Sequence, residues 1–230
     1  MIHLIAAAAL AAAAPPAASA CPNVVTPEAL VCHALEAQKT GQHEAAARGF
    51  EQAALATSEK DPAIARMWAA AGNMWIAAGQ PGKAALALDR ALALPGLQAE
   101  QRGEALLDRA RAAEAQGDLR TARARLNEAA ATISADPFYW YFSAALALRE
   151  GDGGTAQRAI NSALALAPSD PTILFEAGHV AHFIGDEKKA REYWMRAAAG
   201  DPNGPAGRSA RKALELLPVP VVTKDAATPK

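Results

Sequence analysis

A glycine recurs along this 230-residue chain at nearly constant intervals. Successive members of the series lie 38, 38, 34 and 34 positions apart. Periods of this length are typical of helical solenoids, in which each copy is a small unit that packs mainly on its neighbours. The spacing therefore predicts an all-α solenoid of five copies. The five glycines are Gly41, Gly79, Gly117, Gly151 and Gly185.

The clearest copy runs from Asp170 to Pro202. It holds two stretches with helical periodicity, Thr172 to Phe183 and Asp186 to Ala198, joined by a turn at Gly185. Each copy is therefore predicted to be a helix-turn-helix hairpin. Asp-Pro pairs flank this copy and recur elsewhere, and we expect them, with Pro95, to close one unit and start the next. The pairs stand at 61–62, 136–137, 170–171 and 201–202.

Small and bulky residues keep fixed distances from the turn glycine in all five copies. Alanine stands five and twelve positions after it, alanine or glycine seven before it, and a bulky apolar residue nine after it. Two helices approach closely only where both carry small side chains, and a large residue then fills the space toward the neighbouring hairpin. The pattern therefore predicts the core. The bulky series is Phe50, Leu88, Leu126, Ile160 and Trp194, and the small residues before the glycine are Ala34, Gly72, Ala110, Ala144 and Gly178.

Two copies also carry the aromatic pattern of a known repeat. Trp68 precedes the run Gly72-Asn73-Met74-Trp75, and the last copy carries Ala-x3-Trp-x2-Ala at 190–197, followed by Pro202. On these residues the segment 27–202 resembles the tetratricopeptide-repeat family. The resemblance implies a right-handed α-solenoid of about five helix-turn-helix hairpins.

The longer intervals and the C-terminal stretch depart from this pattern. Two intervals carry four extra residues, about one helical turn, which we expect in the second helix of copy one and near Pro95–Gln101 before copy three. A further helical run from Ala206 to Leu217 has Lys212 where another copy would need a small residue. Residues 203–217 are therefore predicted to form a capping helix, and residues 218–230 a disordered tail.

The N-terminal stretch differs from the rest of the chain. An apolar run from Leu4 to Ala14 is followed by small residues up to Ala20, and the run is shorter than the roughly 20 residues that a membrane-spanning helix needs. Residues 1–20 are therefore predicted to be a signal peptide and 21–26 a mature leader, which favours a periplasmic or secreted protein. The alternative is an alanine-rich helical or disordered terminus.

The two cysteines are Cys21 and Cys32. In an oxidising compartment such a pair predicts a disulfide that ties the mature N-terminus to the first helix. Because the Ala18-Ser19-Ala20 run before Cys21 loosely resembles a bacterial lipoprotein processing site, a lipid anchor on Cys21 is the alternative.

Composition and motifs exclude several classes of function. The formal net charge of −1, without a basic block, argues against non-specific binding to nucleic acid. The sequence has no nucleophile elbow, His-Glu-x-x-His or Cys-x-x-Cys motif, so we predict no catalytic residues and no cofactor. The stretch Gly151–Thr155 lacks the Gly-Lys-Ser/Thr of a phosphate loop, and we interpret it as a hairpin turn in which Thr155 caps the next helix. The acidic residues are expected at solvent-facing positions.

The resemblance also implies that the first helix of each hairpin lines the concave face. The C-terminal half of this groove is rich in aromatic and imidazole side chains, which suit a peptide with large side chains. Only Asn73 matches a position of the family's carboxylate-clamp variety, so that specificity is not expected here. The alternative is that some aromatics are buried between copies. The candidate partner-binding residues are Arg66, Asn73, Arg111, Tyr141, Phe175, His179 and His182, with Glu104, Leu107, Phe138 and Arg149 at further groove positions.

Glu176, His179 and His182 fall at intervals of three on one helix face. Imidazoles and a carboxylate at that spacing can hold zinc, so a metal-binding or small-ligand protein, with Tyr141 contributing, is one alternative function. A self-associating structural protein is another. The function that the sequence favours is a non-catalytic, protein- or peptide-binding scaffold or assembly factor in a bacterial cell envelope.

Overall fold

The computed structural model describes residues 21–217, so the predicted signal peptide and disordered tail lie outside the described residues. This part of the chain forms eleven α-helices and no strand, which confirms the predicted all-α fold. None of these helices is both long and apolar enough to cross a bilayer. The helices are α1 (Pro27–Lys39), α2 (His43–Ala56), α3 (Ala63–Ala77), α4 (Pro81–Ala93), α5 (Ala99–Ala115), α6 (Leu119–Ile133), α7 (Pro137–Arg149), α8 (Gly153–Leu166), α9 (Pro171–Phe183), α10 (Glu187–Gly200) and α11 (Pro205–Leu216).

The recurring glycines occupy the hairpin turns in a left-handed backbone conformation. Their φ angles lie between 68° and 83°, a region that residues with a Cβ rarely enter. Nothing lies within 4 Å of the place where a side chain would be. The requirement for glycine here is therefore conformational rather than steric, and the predicted turn role is confirmed.

Small residues mark the lines along which the two helices of a hairpin touch. The alanines five and twelve positions after each turn glycine are all 0% exposed, as predicted. Where the small residue before the turn is glycine, the bulky residue of the same hairpin lies directly on it, Leu88 over Gly72 and Trp194 over Gly178. The bulky residues therefore fill space within their own hairpin, and not only toward the next hairpin as expected.

The Asp-Pro pairs before α7 and α9 start helices as predicted. Asp136 Oδ1 accepts from Phe138 N at 2.9 Å, and Asp170 Oδ1 accepts from Thr172 N at 2.8 Å. Each bond satisfies one N–H of the first turn, which has no partner within the helix. The proline after each aspartate has no N–H to satisfy.

The turn before α8 corrects one expectation. Asp152, rather than Thr155, caps this helix, and its Oδ1 accepts from Thr155 N at 2.9 Å. Because Gly153 is already the first helical residue, Thr155 lies inside the first turn. Its hydroxyl donates back to the Asp152 carboxylate at 2.6 Å.

The extra residues of the first long interval do not lengthen α2. This helix has 14 residues, as has α8, and it ends where Thr57 adopts extended backbone, so the expectation of an added turn in it was wrong. The extra length lies in the connection 57–62 and in α3, which has 15 residues. In the second long interval α5 has 17 residues, against 13 in α7 and α9. The turn expected near Pro95–Gln101 is therefore added at the start of α5.

First helices contact one another along the solenoid. α3 packs on α5, α7 on α9 and α9 on α11. α5 and α7 contact each other less than these pairs do, and side chains bridge the space between them. The Arg111 guanidinium lies over the Phe138 ring, 5.6 Å from its centroid, and Arg149 pairs with Glu114. We call this place the α5–α7 junction.

Each end of the array is closed by a local feature. At the N-terminal end a disulfide joins Cys21 to Cys32 of α1, with their Cα atoms 5.6 Å apart. This pairing leaves Cys21 without a thiol for a lipid, so the lipid-anchor alternative does not fit the structure. At the C-terminal end α11 packs on α9 and α10, with Ala210 buried and Lys212 exposed, and its role as a capping helix stays a prediction.

The last Asp-Pro pair does not start a helix. α11 begins at Pro205, three residues later than that pair predicts, and its N-cap residue, Gly204, has no side chain that could accept a bond. Asp201 supplies the acceptor instead. Its Oδ2 accepts from Ala206 N at 3.1 Å and from Gly207 N at 3.3 Å.

Candidate functional site

A strip of polar and aromatic side chains follows the first helices α3, α5, α7 and α9. Most residues of the strip interact with a strip residue of another hairpin, which is far away in the sequence. We call it the groove strip. It consists of Arg66, Asn73, Glu104, Asp108, Arg111, Phe138, Tyr141, Phe175, Glu176 and His179.

The N-terminal part of the strip borders a pocket of about 270 Å³ between α1, α3 and α5. Arg66 and Asn73, both predicted from the sequence, line it together with Glu104 and Asp108. Pockets for whole small molecules measure about 300–1,000 Å³. The space is therefore suited to one large side chain of a partner.

Asn73 and Arg111 converge on an acid that sequence reasoning missed, Asp108. Asp108 Oδ2 accepts from Asn73 Nδ2 at 2.7 Å, and its Oδ1 accepts from Arg111 Nη1 at 2.8 Å. The Asp108 side chain is 14% exposed. An internal carboxylate therefore already holds one donor of each of these two side chains.

Glu104 stands one helical turn before Asp108. Burial raises the pKa of Glu104 above its ordinary value, and repulsion from Glu100 and Asp108 adds to the effect. A positive charge brought next to Glu104 would offset that repulsion. This wall of the pocket is therefore better suited to a basic side chain than to an acidic one.

The middle of the strip is aromatic. The Phe138 and Tyr141 rings are 5.2 Å apart between centroids, and Phe138 is 38% exposed. Burial raises the pKa of Tyr141, the charge of Glu176 raises it further, and Arg111 opposes the shift. The phenol therefore stays protonated at neutral pH and can donate a hydrogen bond.

The C-terminal part of the strip surrounds a buried acid. The Phe175 and His179 rings meet edge to face with centroids 4.3 Å apart, and His179 Nδ1 lies 3.5 Å from Glu176 Oε2. Glu176 is 7% exposed, so the expectation that acidic residues face solvent was wrong for it. A buried carboxylate needs a donor or a cation, and His179 is in position to supply one.

His182 turns away from this group. Its Nδ1 lies 2.8 Å from Glu187 Oε1 at the start of α10. Its ring lies beside Trp194, with 5.9 Å between the ring centroids. His182 is exposed and, like His179, lies beside Trp194, and its place among the partner-binding residues stays a prediction.

The histidines do not form the metal site considered as an alternative. Within residues 21–217, the one set of three ligand atoms lying within 4.8 Å of one another comes from Cys21, His33 and Glu36. The Cys21 sulfur is bonded to Cys32 and offers no thiolate. The described residues therefore give no support to metal binding at α9.

The repeat register shows how Asp108 could have been found. Asp108 and Glu176 both stand nine positions before their turn glycine, and each pairs with the residue three positions later, Arg111 and His179 respectively. An acid nine positions before the turn glycine, with a basic or imidazole residue three positions later, is thus distinguished from an ordinary surface acid. The other copies have Cys32, Ala70 and Phe142 there.

Comparison with known proteins gives matches among solved structures. No protein-family model and no curated protein matches the chain. PilW, described as a widely conserved type IV pilus biogenesis factor, matches with a TM-score of 0.67 at 19% identity, over 80% of this chain and 82% of that one. PilF of Pseudomonas aeruginosa matches with a TM-score of 0.64 at 14% identity, over 82% of each chain.

YrrB is a third similar structure, described as a TPR protein with an unusual peptide-binding site. It matches with a TM-score of 0.59 at 17% identity, over 84% of this chain and 94% of that one. At such identities the likeness shows a shared fold and leaves the function to be argued from the site.

Proposed function

We propose that this chain, which has the tetratricopeptide-repeat fold that its sequence predicts, is a non-catalytic scaffold or assembly factor. It binds a peptide segment of a partner protein along the groove strip. The segment carries a basic side chain for the pocket beside Glu104 and large apolar side chains for the aromatic part of the strip.

The continuity of the groove strip carries this proposal. Asn73 bonds to Asp108, Asp108 bonds to Arg111, and Arg111 lies over Phe138, which packs on Tyr141. The strip therefore runs from the second hairpin to the fourth through side chains that touch. An extended or helical peptide is the ligand that matches such a long, narrow surface.

The five copies separate binding residues from residues that build the array. Tyr141 and Phe175 both stand ten positions before their turn glycine. The hairpin packs without an aromatic residue at this position, so packing alone does not account for the two rings. Partly exposed aromatic side chains are favoured anchors at protein interfaces. The first three copies have Val31, Ala69 and Leu107 there.

A bacterial cell-envelope setting is part of the proposal. The apolar run that ends before Ala20 supports export, and a disulfide such as Cys21–Cys32 persists in oxidising compartments. PilW, one of the similar folds, is described as a pilus biogenesis factor. These three observations support an assembly role outside the cytoplasm.

Selection of a random peptide library on the full chain tests the proposal. We expect enriched peptides to combine lysine or arginine with phenylalanine, tryptophan or leucine. The double variant Tyr141→Ala with Phe175→Ala should lower their affinity about tenfold or more, because it removes both aromatic anchors. Glu104→Lys should remove the preference for the basic residue.

The matched control is Met195→Ala on α10, an apolar residue that is 51% exposed and lies outside the strip. Its peptide affinity should equal that of the unmodified chain. Far-UV circular dichroism checks that every variant keeps its helices. Undiminished peptide binding by a folded Tyr141→Ala, Phe175→Ala variant would show that the binding surface lies elsewhere and would refute the proposal.

A further inference from the structure

The second helices of the first two hairpins enclose a separate pocket. It measures about 300 Å³ and lies between α2 and α4, with α3 beneath it. Leu55 and Leu86 stand at its sides and are 72% and 68% exposed, whereas Trp68 of α3 is 6% exposed and forms its floor. We call it the α2–α4 pocket. Its remaining polar lining residues are Glu51, Lys83 and Arg90.

The repeat does not require these two leucines. Leu55 stands fourteen positions after its turn glycine, where the other four copies have alanine. Leu86 stands seven positions after its own turn glycine, where the other copies have small or charged residues. Large apolar side chains that are exposed add little to the core, and two beside one pocket indicate a contact surface. The residues at the register of Leu86 are Arg48, Ala124, Arg158 and Glu192.

Two cations flank the leucines. Lys83 Nζ lies 4.3 Å from the centroid of the Trp75 ring, and Arg90 Cζ lies 4.5 Å from that of Trp68. Within residues 21–217 neither cation pairs with a carboxylate. The cation–π contacts hold the charged groups in place, while their N–H donors remain available to a ligand.

Glu51 offsets only one of the two positive charges of the pocket. Its Oε1 accepts from Trp75 Nε1 at 2.9 Å, so the indole already holds this carboxylate. The two cations outnumber the single acid among the lining residues. The pocket therefore favours an acidic ligand with apolar groups between its charges.

We propose that the α2–α4 pocket docks an acidic amphipathic helix of a partner protein. Lys83 and Arg90 are seven positions apart on one face of α4, which separates them by about 10 Å. Two acidic residues seven positions apart on the docking helix have the same separation. Leu86 lies between the two cations, so apolar side chains in the middle of the docking helix meet Leu86 and Leu55 above Trp68.

A designed peptide serves as the probe. It is an alanine-based helix with two glutamates seven positions apart and leucines on the same face between them, and its control carries lysines in place of the glutamates. Fluorescence anisotropy with the full chain should show saturable binding of the glutamate peptide and about tenfold weaker binding of the lysine peptide. Added salt should weaken the binding of the glutamate peptide, because its ion pairs with Lys83 and Arg90 are exposed and therefore screened.

Variants of the pocket make the test specific. Lys83→Glu with Arg90→Glu should reverse the preference, so that the lysine peptide binds more tightly. Leu86→Ser should lower the affinity for the glutamate peptide about tenfold, whereas Leu166→Ser on α8, which is 48% exposed, should not. Tyr141→Ala in the groove strip should leave this binding unchanged.

Several results would overturn the proposal. These are the absence of saturable binding by the glutamate peptide, equal binding of the two peptides, and an unchanged preference in the charge-reversed variant. Analytical sedimentation of the chain alone tests whether a second copy of the chain occupies the pocket. A dimer that dissociates on Leu86→Ser would assign the pocket to a second copy of the chain instead of a partner helix.

Discussion

The close packing of the fifth hairpin depends on the absence of one methyl group at Gly178. A Cβ there would overlap the Trp194 indole, whose Nε1 donates to Phe175 O at 3.0 Å. Gly178→Ala should therefore displace the indole, break that bond and lower the free energy of unfolding by about 1–3 kcal/mol. Chemical denaturation followed by tryptophan fluorescence measures the change.

Gly82→Ala provides the matched control. Gly82 lies in the first turn of α4, and nothing lies within 4 Å of its missing side chain. Alanine at this position should leave the stability unchanged or raise it by up to about 1 kcal/mol, because alanine favours the helix. Equal losses for the two variants would contradict the role given to Gly178.

Residues with a periodic role could be predicted from the sequence, whereas contacts between side chains of different hairpins could not. The buried alanines, and the bulky apolar residue that is Trp194 in the last copy, stand at fixed distances from the turn glycine, because the two helices of every hairpin make the same close contact. Asp108 was missed, since its partner Asn73 is 35 positions away and an acid on a helix resembles a solvated one. Glu176 was noted for its spacing from two histidines, but that spacing did not show that its carboxylate is buried.

At the scale of elements, the start of α11 depends on one side chain outside the helix. Asp201 accepts from two N–H groups of the first turn, a role that Gly204 cannot fill. Asp201→Ala should destabilise α11 by about 1 kcal/mol, the usual cost of losing a cap. Hydrogen exchange of the α11 amides measures the effect.

Asn203→Ala, also in the connection before α11, is the control for this variant. The Asn203 side chain is exposed, so its loss should leave amide exchange in α11 as it was. If the α11 amides of the Asp201→Ala variant exchanged as slowly as those of the unmodified chain, the stability of α11 would come from its packing on α9 and α10 and not from the cap.

Helix existence was predictable from periodicity, whereas several helix ends were not. The same Asp-Pro letters start α9 but not α11. Asp170 bonds to N–H groups two and three positions ahead, whereas Asp201 bonds to those five and six positions ahead. Which N–H groups an aspartate reaches depends on the path of the backbone, and periodicity does not encode that path.

At the scale of the molecule, each hairpin packs within itself and on its immediate neighbours. The principal helix contacts join elements one or two places apart in the chain, and stability in such arrays is a sum of local terms. Gly178→Arg should therefore unfold the fifth hairpin and α11, because a large charged group would enter a close helix contact. Amides of α1 to α4 should keep their protection in hydrogen exchange.

The Gly178→Arg experiment has a clear contrary outcome. Simultaneous loss of protection from α1 to α11 would show that the array unfolds as a single cooperative unit. The sequence predicted this whole-molecule architecture well, since five copies repeat one packing rule. The sequence could not name a partner, because the residues of the groove strip and of the α2–α4 pocket differ between copies and follow no repeated pattern.

At the α5–α7 junction the two first helices contact each other less than α3 and α5 or α7 and α9 do. An ion pair, a cation–π contact and the buried cluster that holds Leu107 and Phe142 join the two sides. A peptide along the groove strip crosses this junction, so the length of the bound segment, and not its side chains alone, decides whether it contacts the hairpins on both sides.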